Sequence, residues 1–307
     1  MVEAQLAVFV ASGIRLAMPI ILAGTGELVS QRAGVLNLSL DGMMLVAAFA
    51  AAWGAWVTGS PVLGVVAGVV ASLLVAWVQA FLSVTLRANQ LVVGIGFNIL
   101  ALGATTFLYR EIFGPLSRQP IPGFEKWHIP GLESLPIIGP GVFQQTGLVY
   151  LGLFLVLVTW ALLKGTSLGL SIRAVGEDPR AADKAGIHVK RVRYLGVLFA
   201  GAMAGLGGAF MSVADSNTFT EGMTRGAGYL AITAVIFGGW TPGRTLAACL
   251  LFGFATALQF LVPALGLDVP VAWLLMLPYV LALCAIAGFV GKQRQPSALT
   301  LPFVRGR

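Results

Sequence analysis

Charged residues and cysteine are scarce in this sequence. Only 10% of the 307 residues are Asp, Glu, Lys or Arg, against about 25% in ordinary soluble domains. The two cysteines, Cys249 and Cys284, lie within apolar runs, so a disulfide scaffold is excluded. The two histidines, His128 and His188, lie far apart in polar loops, and we expect no metal site. These shortages leave little basis for an enzyme.

Apolar residues make up most of the chain. Hydrophobic side chains account for 58% of the residues, and 39 glycines add to them. So few charged side chains could not cover the surface of a soluble protein of this size. In a bilayer, helices satisfy their own backbone hydrogen bonds. The sequence therefore predicts an all-α, polytopic transmembrane protein, with residues 1–307 forming a single transmembrane domain.

The apolar runs predict about nine spans, because each crossing of the bilayer needs about 20 residues. The seventh run is short for a hydrocarbon core of about 30 Å, so we expect it to be tilted, broken or shielded by its neighbours. The runs lie at about 13–29, 36–57, 61–86, 91–109, 147–163, 194–213, 227–239, 246–262 and 271–290.

Basic residues predict the orientation of the chain. The loop 164–193 is rich in Lys and Arg, and the tail carries Lys292, Arg294, Arg305 and Arg307. Basic loops stay on the cytoplasmic side, so we expect this loop and the carboxyl terminus inside the cell and the amino terminus outside. The net charge of +7 is explained by these loops, and we expect no nucleic acid partner.

The basic loop contains the sharpest local signal, the stretch RAVGEDPRAADKAGI at 173–187. Asp178 can cap a helix, Pro179 suits its first position, and Gly186 permits a left-handed stop. The stretch therefore predicts a short helix of about two turns. Two interpretations remain open at this point: a solvated connecting helix, or a docking element for a soluble partner.

This stretch, followed by RVRYLGVLFAGAMAGLGGAF, resembles the cytoplasmic coupling segment of type II ABC importer permeases of the ribose, branched-chain amino acid and nucleoside group. The resemblance implies that the short helix sits in a cleft of an ATPase subunit. Residues 32–45 and 225–239 are similar to other segments of the family, and the former resembles its nucleoside and simple-sugar branch. The positions that match the coupling segment are Glu177, Asp178, Pro179, Arg180, Ala182, Asp183 and Gly186.

The resemblance implies a permease subunit that takes up nucleosides or simple sugars across a bacterial inner membrane. The implied partners are ABC ATPase subunits, a second permease of different sequence, an extracytoplasmic solute-binding protein and membrane lipid. No cofactor is expected on this chain, because ATP and Mg²⁺ would bind the ATPase subunits. Import of branched-chain amino acids or ribose is the alternative within the family. An ion-coupled secondary transporter is the alternative outside it.

The polar residues Asn37, Ser39 and Asp41 interrupt an apolar stretch, where they are costly toward lipid. Gly34 and Gly42 allow the helix to break there, so unwound backbone and these side chains could line a solute path. In the other interpretation, the segment lies at the cytoplasmic interface, Asn37 caps the second span, and Asp41 is a gate or structural residue.

Two further groups are candidates for contact with solute or partner. Asn98 follows two glycines within the fourth span and could face the same solute path. On the outer side, the polar run 215–225 carries Asp215, Asn217 and Glu221. These three residues could contact a solute-binding protein, or the run could be a solvated loop.

Overall fold

The computed structural model describes residues 2–114, 120–127, 139, 142–266, 268–288 and 295–305. His128, Lys292, Arg294 and Arg307 lie outside these residues. The described residues form helices and connecting turns, with an isolated bridge between Lys126 and Thr146. The protein is all-α, as the composition predicts.

In the part of the chain that the structure describes, nine apolar helices match the nine predicted spans one to one. Seven are long and apolar enough to cross a membrane, and two apolar helices are shorter. They are α1 (Val2–Arg32), α2 (Leu40–Thr58), α3 (Pro61–Ala80), α4 (Gln90–Phe113), α5 (Gly147–Gly165), α8 (Val189–Ala209), α9 (Ala227–Phe237), α10 (Pro242–Ala264) and α11 (Val271–Gly288). Two short helices, α6 (Ser167–Glu177) and α7 (Pro179–Lys184), lie between α5 and α8.

The largest difference from the predicted boundaries is in α1, and shifts of four or five residues occur in α2, α4, α8 and α10. Helix α1 begins at Val2 rather than near residue 13, so the weakly polar first residues extend the helix. Helix α2 begins at Leu40 rather than near residue 36. Helices α3 and α8 each end in a wider π-helical turn, at Phe81–Thr85 and Phe210–Asp215.

Small residues allow these helices to approach closely. A Cβ on Gly64 or Gly68 would meet the backbone of α2 at 2.6–2.7 Å. A Cβ on Gly201 would lie 2.3 Å from the Cβ of Ala76 in α3, and one on Gly205 would lie 2.8 Å from the Cα of Val69. Close contact between small residues replaces the hydrophobic drive that lipid does not provide. Both glycine pairs therefore pack helices within this chain.

The two ends of the helix bundle differ in charge. We call the end that carries Arg32, Arg87, α6 and α7 the basic end, and the other end, with residues 216–222, the opposite end. Tail residues 295–305 lie at the basic end, where the backbone N–H of Ala298 donates to the carbonyl of Gly176 (2.9 Å). Parts of the chain that are distant in sequence therefore meet at the basic end.

Residues 33–39 return into the bundle between α1 and α2. Gly34 has a φ of +86°, which reverses the chain. The backbone N–H of Asn37 then donates to Oε1 of Glu27 in the last turns of α1 (3.1 Å). We call residues 33–39 the re-entrant loop, because α2 starts deeper in the bundle than α1 ends.

The position of Asp41 along helix α9 shows how deep in the bundle α2 begins. Asp41, in the first turn of α2, bonds to Gly228, which is nine residues from Phe237 at the basic end of α9. At 1.5 Å per residue this is about 14 Å, close to the middle of a hydrocarbon core of about 30 Å. Asp41 therefore lies about half the thickness of such a core from the basic end of α9.

Candidate functional site

A cluster of polar side chains joins α2, α4 and α9 at this depth. We call Asp41, Asn98, Thr224, Gly228 and Tyr229 the midspan node. Oδ1 of Asp41 accepts from the backbone N–H of Gly228 (3.0 Å), and Oδ2 accepts from Oγ1 of Thr224 (3.1 Å). Both carboxylate oxygens therefore have protein partners, which offsets the cost of placing this group within the bilayer.

Asn98 holds the other side of the node. Its Oδ1 accepts from the backbone N–H of Gly42 (2.7 Å), and its Nδ2 donates to the carbonyl of Leu38 (2.8 Å). The same amide nitrogen donates to the hydroxyl of Tyr229 (2.6 Å). The side chain of Asn98 on α4 therefore bonds to backbone groups at the start of α2 and connects them to α9.

The four predicted path residues separate into two pairs. Asp41 and Asn98 meet in the midspan node, whereas Asn37 and Ser39 are fully buried in the re-entrant loop. There, Oγ of Ser39 donates to Oδ1 of Asn37 (2.6 Å). Asn37 does not cap α2, since Ser39 occupies the cap position and makes no side-chain cap bond. Asn37 and Ser39 thus hold the loop together from within.

Glu27 also belongs to the site, although the sequence analysis did not identify it as a candidate. It is fully buried, and its Oε1 accepts from Nε2 of Gln31 (2.8 Å) and from the backbone of Asn37. Oε1 of Gln31 in turn accepts from the indole N–H of Trp240 (2.7 Å). The four-residue spacing of Glu27 and Gln31, one helical turn, is the signal that could have identified the pair. This chain of bonds joins α1, the re-entrant loop and the end of α9.

A cavity of about 280 Å³ lies between the midspan node and the opposite end. Helices α1, α9, α10 and α11 and the segment 215–225 line it, with Thr220, Thr224, Gln259 and Tyr279 among its polar groups. Thr224 belongs to both the cavity and the node, because its hydroxyl donates to Asp41. The hydroxyl of Tyr279 donates to the carbonyl of Arg225 at the cavity wall. Thr224 therefore connects the cavity wall to Asp41.

The predicted short helix is present in the basic loop as α7. Oδ1 of Asp178 accepts from the backbone N–H groups of Arg180 (2.9 Å) and Ala181 (3.0 Å), and Pro179 occupies the first position. Gly186 has a φ of +86° just beyond the helix. The cap, the start and the stop are confirmed.

The side chains of this segment face different surroundings. Ala182 is buried, whereas Arg180 and Lys184 are exposed. The two remaining acidic candidates already have partners in the tail. Oε2 of Glu177 accepts from Oγ of Ser297 (3.2 Å), and Oδ2 of Asp183 lies 3.3 Å from Nε of Arg305. We call helices α6 and α7, which include Glu177 and Asp183, the coupling segment, after the family segment that residues 173–187 resemble.

The three candidates for contact with a solute-binding protein, Asp215, Asn217 and Glu221, have different surroundings. Asp215 pairs with Arg15 of α1 (3.1 Å), and the backbone carbonyl of Asn217 accepts from Ile121 (3.1 Å). Glu221 is exposed and receives two bonds from Arg110, at 2.7 and 3.0 Å. This guanidinium holds the pKa of Glu221 below its ordinary value.

Metal ligands do not come together in the part of the chain that the structure describes. No group of three or more His, Cys, Asp or Glu side chains converges there. Cys249 is buried with its sulfur 3.5 Å from the carbonyl of Ile20, and Cys284 is exposed. The polar groups of the site are therefore suited to hydrogen bonding.

Comparison with known proteins gives relatives of nearly full length. Guanosine ABC transporter permease protein NupQ of Bacillus subtilis is 36% identical over 98% of both chains. Nucleoside ABC transporter permease protein NupC of Lactococcus lactis is 32% identical over 98% of both chains. TsgC13 of Haloferax volcanii, whose name assigns it provisionally to a glucose ABC transporter as a permease protein, is 41% identical over 83% of this chain and 77% of its own.

No solved structure matches this chain. The family described as the permease component of branched-chain amino acid transport systems matches residues 9–286. The match covers helices α2 to α10 in full and most of α1 and α11, together with the re-entrant loop, the midspan node and the coupling segment. The chain therefore belongs to this family of membrane transport permeases.

Proposed function

We propose that this chain is the permease subunit of an ABC importer for nucleosides or related simple sugars. The names of NupQ, NupC and TsgC13 support this class of solute. The observation that carries the proposal is the interruption before α2, where Asp41 and Asn98 join α2 to α9 and Thr224 of the cavity wall bonds to Asp41. Transporters use such unwound segments to bind polar solutes within the bilayer.

The node suits solutes rich in hydroxyl groups. Nucleosides and simple sugars are uncharged and offer hydroxyls that both donate and accept. Asp41 can accept from two of them, and the amide of Asn98 can donate and accept. Solute would descend through the cavity, replace the bond from Thr224 to Asp41, and pass between α2, α4 and α9. Asn37 and Ser39 would keep the re-entrant loop in shape.

The coupling segment would receive the force from the ATPase. In this proposal, ATP and Mg²⁺ bind partner ATPase subunits and not this chain, which is a transport subunit rather than an enzyme. Closure of the ATPases would press on α7, a rigid element with a fixed cap and stop. The bundle would change from an inward-open to an outward-open state, and solute would be released inward after hydrolysis. The two states need to differ by only a few kcal/mol.

The charges support an orientation in the membrane. We place the basic end and the carboxyl terminus in the cytoplasm and the amino terminus outside, because basic loops remain inside. The membrane would be the inner membrane of a bacterium. At the opposite end, Asp215, Asn217 and Glu221 would lie near a solute-binding protein. A second permease of different sequence, and lipid, would cover the apolar outer face of α4, which includes Ile95 and Ile99.

Uptake by the complete transporter in proteoliposomes tests the proposal. Labelled guanosine, glucose and leucine are each supplied with the binding protein and internal ATP, for the wild type and for Asp41→Asn. We expect ATP-dependent uptake of guanosine or glucose that Asp41→Asn lowers at least about tenfold, which is about 1.4 kcal/mol. Uptake of leucine alone would refute the solute class. Uptake driven by an ion gradient without ATP would refute the ABC mechanism.

A further inference from the structure

The carboxyl-terminal segment contacts several parts of the basic end. The N–H of Ala298 donates to the carbonyl of Gly176 in α6 (2.9 Å), and Oγ of Ser297 donates to Glu177 (3.2 Å). Further along, Arg305 lies 3.3 Å from Asp183 in α7. Residues 295–305 therefore run along the coupling segment, and we call them the tail strap.

The tail strap also has a buried anchor. Phe303 is 9% exposed and belongs to an apolar cluster that includes Ala182 of α7, Val175 of α6 and Trp240 after α9. By contrast, Leu301 is 55% exposed. An aromatic ring buried in this way contributes much of the packing in such a cluster. Helix α7 has only six residues and few contacts with the membrane helices. The ring of Phe303 therefore forms part of the apolar surface on which α7 packs.

The same strap reaches the re-entrant loop and α8. Arg193, which is 2% exposed, donates from Nη1 to the carbonyl of Leu301 (2.8 Å). A Cβ on Gly34 would lie 3.1 Å from Nη2 of Arg193 and 3.2 Å from the carbonyl of Ala298. The strap therefore lies between the coupling segment and the loop that leads to the midspan node.

We propose that the tail strap is a clasp that transmits movement of α7 to the re-entrant loop. This inference rests on the proposed function, because it takes the coupling segment to be the contact for an ATPase. It assigns Glu177 and Asp183 to holding the strap, as positioning residues. It leaves the exposed side chains of Arg180 and Lys184 to contact the ATPase.

Phe303→Ala tests the clasp, with Leu301→Ala as a matched control on the same strap. The complete transporter is reconstituted, and solute taken up per ATP hydrolysed is measured. We expect Phe303→Ala to lower this ratio about fivefold or more, the range of typical coupling between sites, while the ATPase subunits still co-purify. Leu301→Ala should keep the wild-type ratio. Equal ratios in both variants, or loss of co-purification in Phe303→Ala, would overturn the proposal.

Charge exchange separates the clasp from direct contact with the ATPase. Arg305→Glu should repel Asp183 and lower the coupling ratio, and the added change Asp183→Arg should restore it. If Asp183 contacts the ATPase directly, the double variant will remain impaired, and the proposal is then wrong. Both variants keep Phe303, so the cluster beneath α7 is retained.

Hydrogen exchange on the isolated subunit distinguishes failure of the clasp from failure of the proposed function. Amides of 180–187 in the detergent-solubilised protein should exchange several-fold faster in Phe303→Ala than in Leu301→Ala, because local opening follows lost packing. This measurement needs neither solute nor ATPase. Faster exchange without any ATP-driven uptake in the wild type would refute the function and keep the clasp as a structural element. Unchanged exchange would refute the clasp.

Discussion

The coupling segment and the midspan node differ in the sequence separation of the contacts that form them. The side chain of Asp178 bonds to residues two and three positions ahead. In the node, the bonds of Asp41 and Asn98 connect residues that lie 56 to 187 positions apart. A local pattern is therefore enough to specify α7, whereas the node exists only when α2, α4 and α9 have packed.

This difference also determines how far the effect of a substitution spreads. The bonds of the node join α2, α4 and α9, so the loss of one of them weakens the contact between helices. Helix α7 lies at the surface, where water can replace much of what a side chain supplies. We therefore expect substitutions in the node to affect the whole subunit, and substitutions in α7 to affect α7 and its partner.

The largest effect is expected from Gly228→Ala. A Cβ at this position would lie 2.4 Å from the backbone nitrogen of Asp41 and 2.5 Å from its Cα, so α9 must move away from α2. Overpacking of this kind costs about 1–3 kcal/mol, and the node would open. We expect a clearly lower apparent melting temperature of the purified subunit in detergent, and loss of uptake by the complete transporter.

Gly96→Ala is the matched control for this prediction. Gly96 lies in α4, close in sequence to Asn98, and a Cβ there would meet nothing within 4 Å. Alanine also favours helix by up to about 1 kcal/mol over glycine. The melting temperature of the isolated subunit should therefore hold or rise. An equal loss in both variants would show that the close approach of α9 and α2 does not stabilise the subunit.

A smaller effect is expected from Asn98→Leu. The change removes the partners of Gly42 and Leu38 and frees the hydroxyl of Tyr229. Hydrogen bonds between membrane helices contribute about 0.6 kcal/mol each on average. Gly228→Ala adds overpacking to the loss of bonds in the node, so the loss of stability in Asn98→Leu should be smaller. Thermal unfolding of Asn98→Leu, Tyr229→Phe and the double variant measures the coupling. If the two losses simply add, Asn98 and Tyr229 do not interact in the folded subunit.

Sequence patterns predicted those helices, caps and turns that depend on residues close together in the sequence. Nine apolar runs gave the nine membrane helices, since the length of an apolar run is a local property. Asp178, Pro179 and Gly186 gave α7, with the cap and stop at the predicted residues. The break before α2 was one of two open interpretations, because a carboxylate and an amide between glycines are hard to place against lipid.

The partners of these residues could not be predicted. The bonds from Thr224 and Gly228 to Asp41 depend on helices that meet only in the folded bundle. Glu27 lies near the end of the first apolar run, and its contact with Asn37 needs the chain reversal at Gly34. The tail was interpreted through its charge, which marks the side of the membrane and gives no information about the burial of Phe303.

A local effect is expected from Asp178→Ala. Loss of a helix cap costs about 0.5–2 kcal/mol, and here it should act on α7 alone. Amides of Arg180 and Ala181 should exchange faster, and ATP-driven uptake should fall, while the melting temperature of the subunit is unchanged. Asp178→Asn keeps a capping oxygen and should behave like the wild type. A fall in melting temperature comparable to that of Gly228→Ala would contradict the separation of the two regions.

The smallest effect on stability is expected at the opposite end, from Glu221→Gln. The pair of Glu221 with Arg110 is exposed to water, so its loss should leave the melting temperature unchanged. The pKa of Glu221 is lowered by this pair, so any contribution is present above the unfolded pKa and is lost as the pH falls through the folded pKa, in the acid range. If Glu221 contacts the solute-binding protein, Glu221→Gln should bind that protein more weakly than the wild type at low salt. At high salt, where exposed charges are screened, the two should bind equally. If the variant and the wild type bind equally at both salt concentrations, Glu221 is not part of the contact, and Asn217 remains as the exposed candidate.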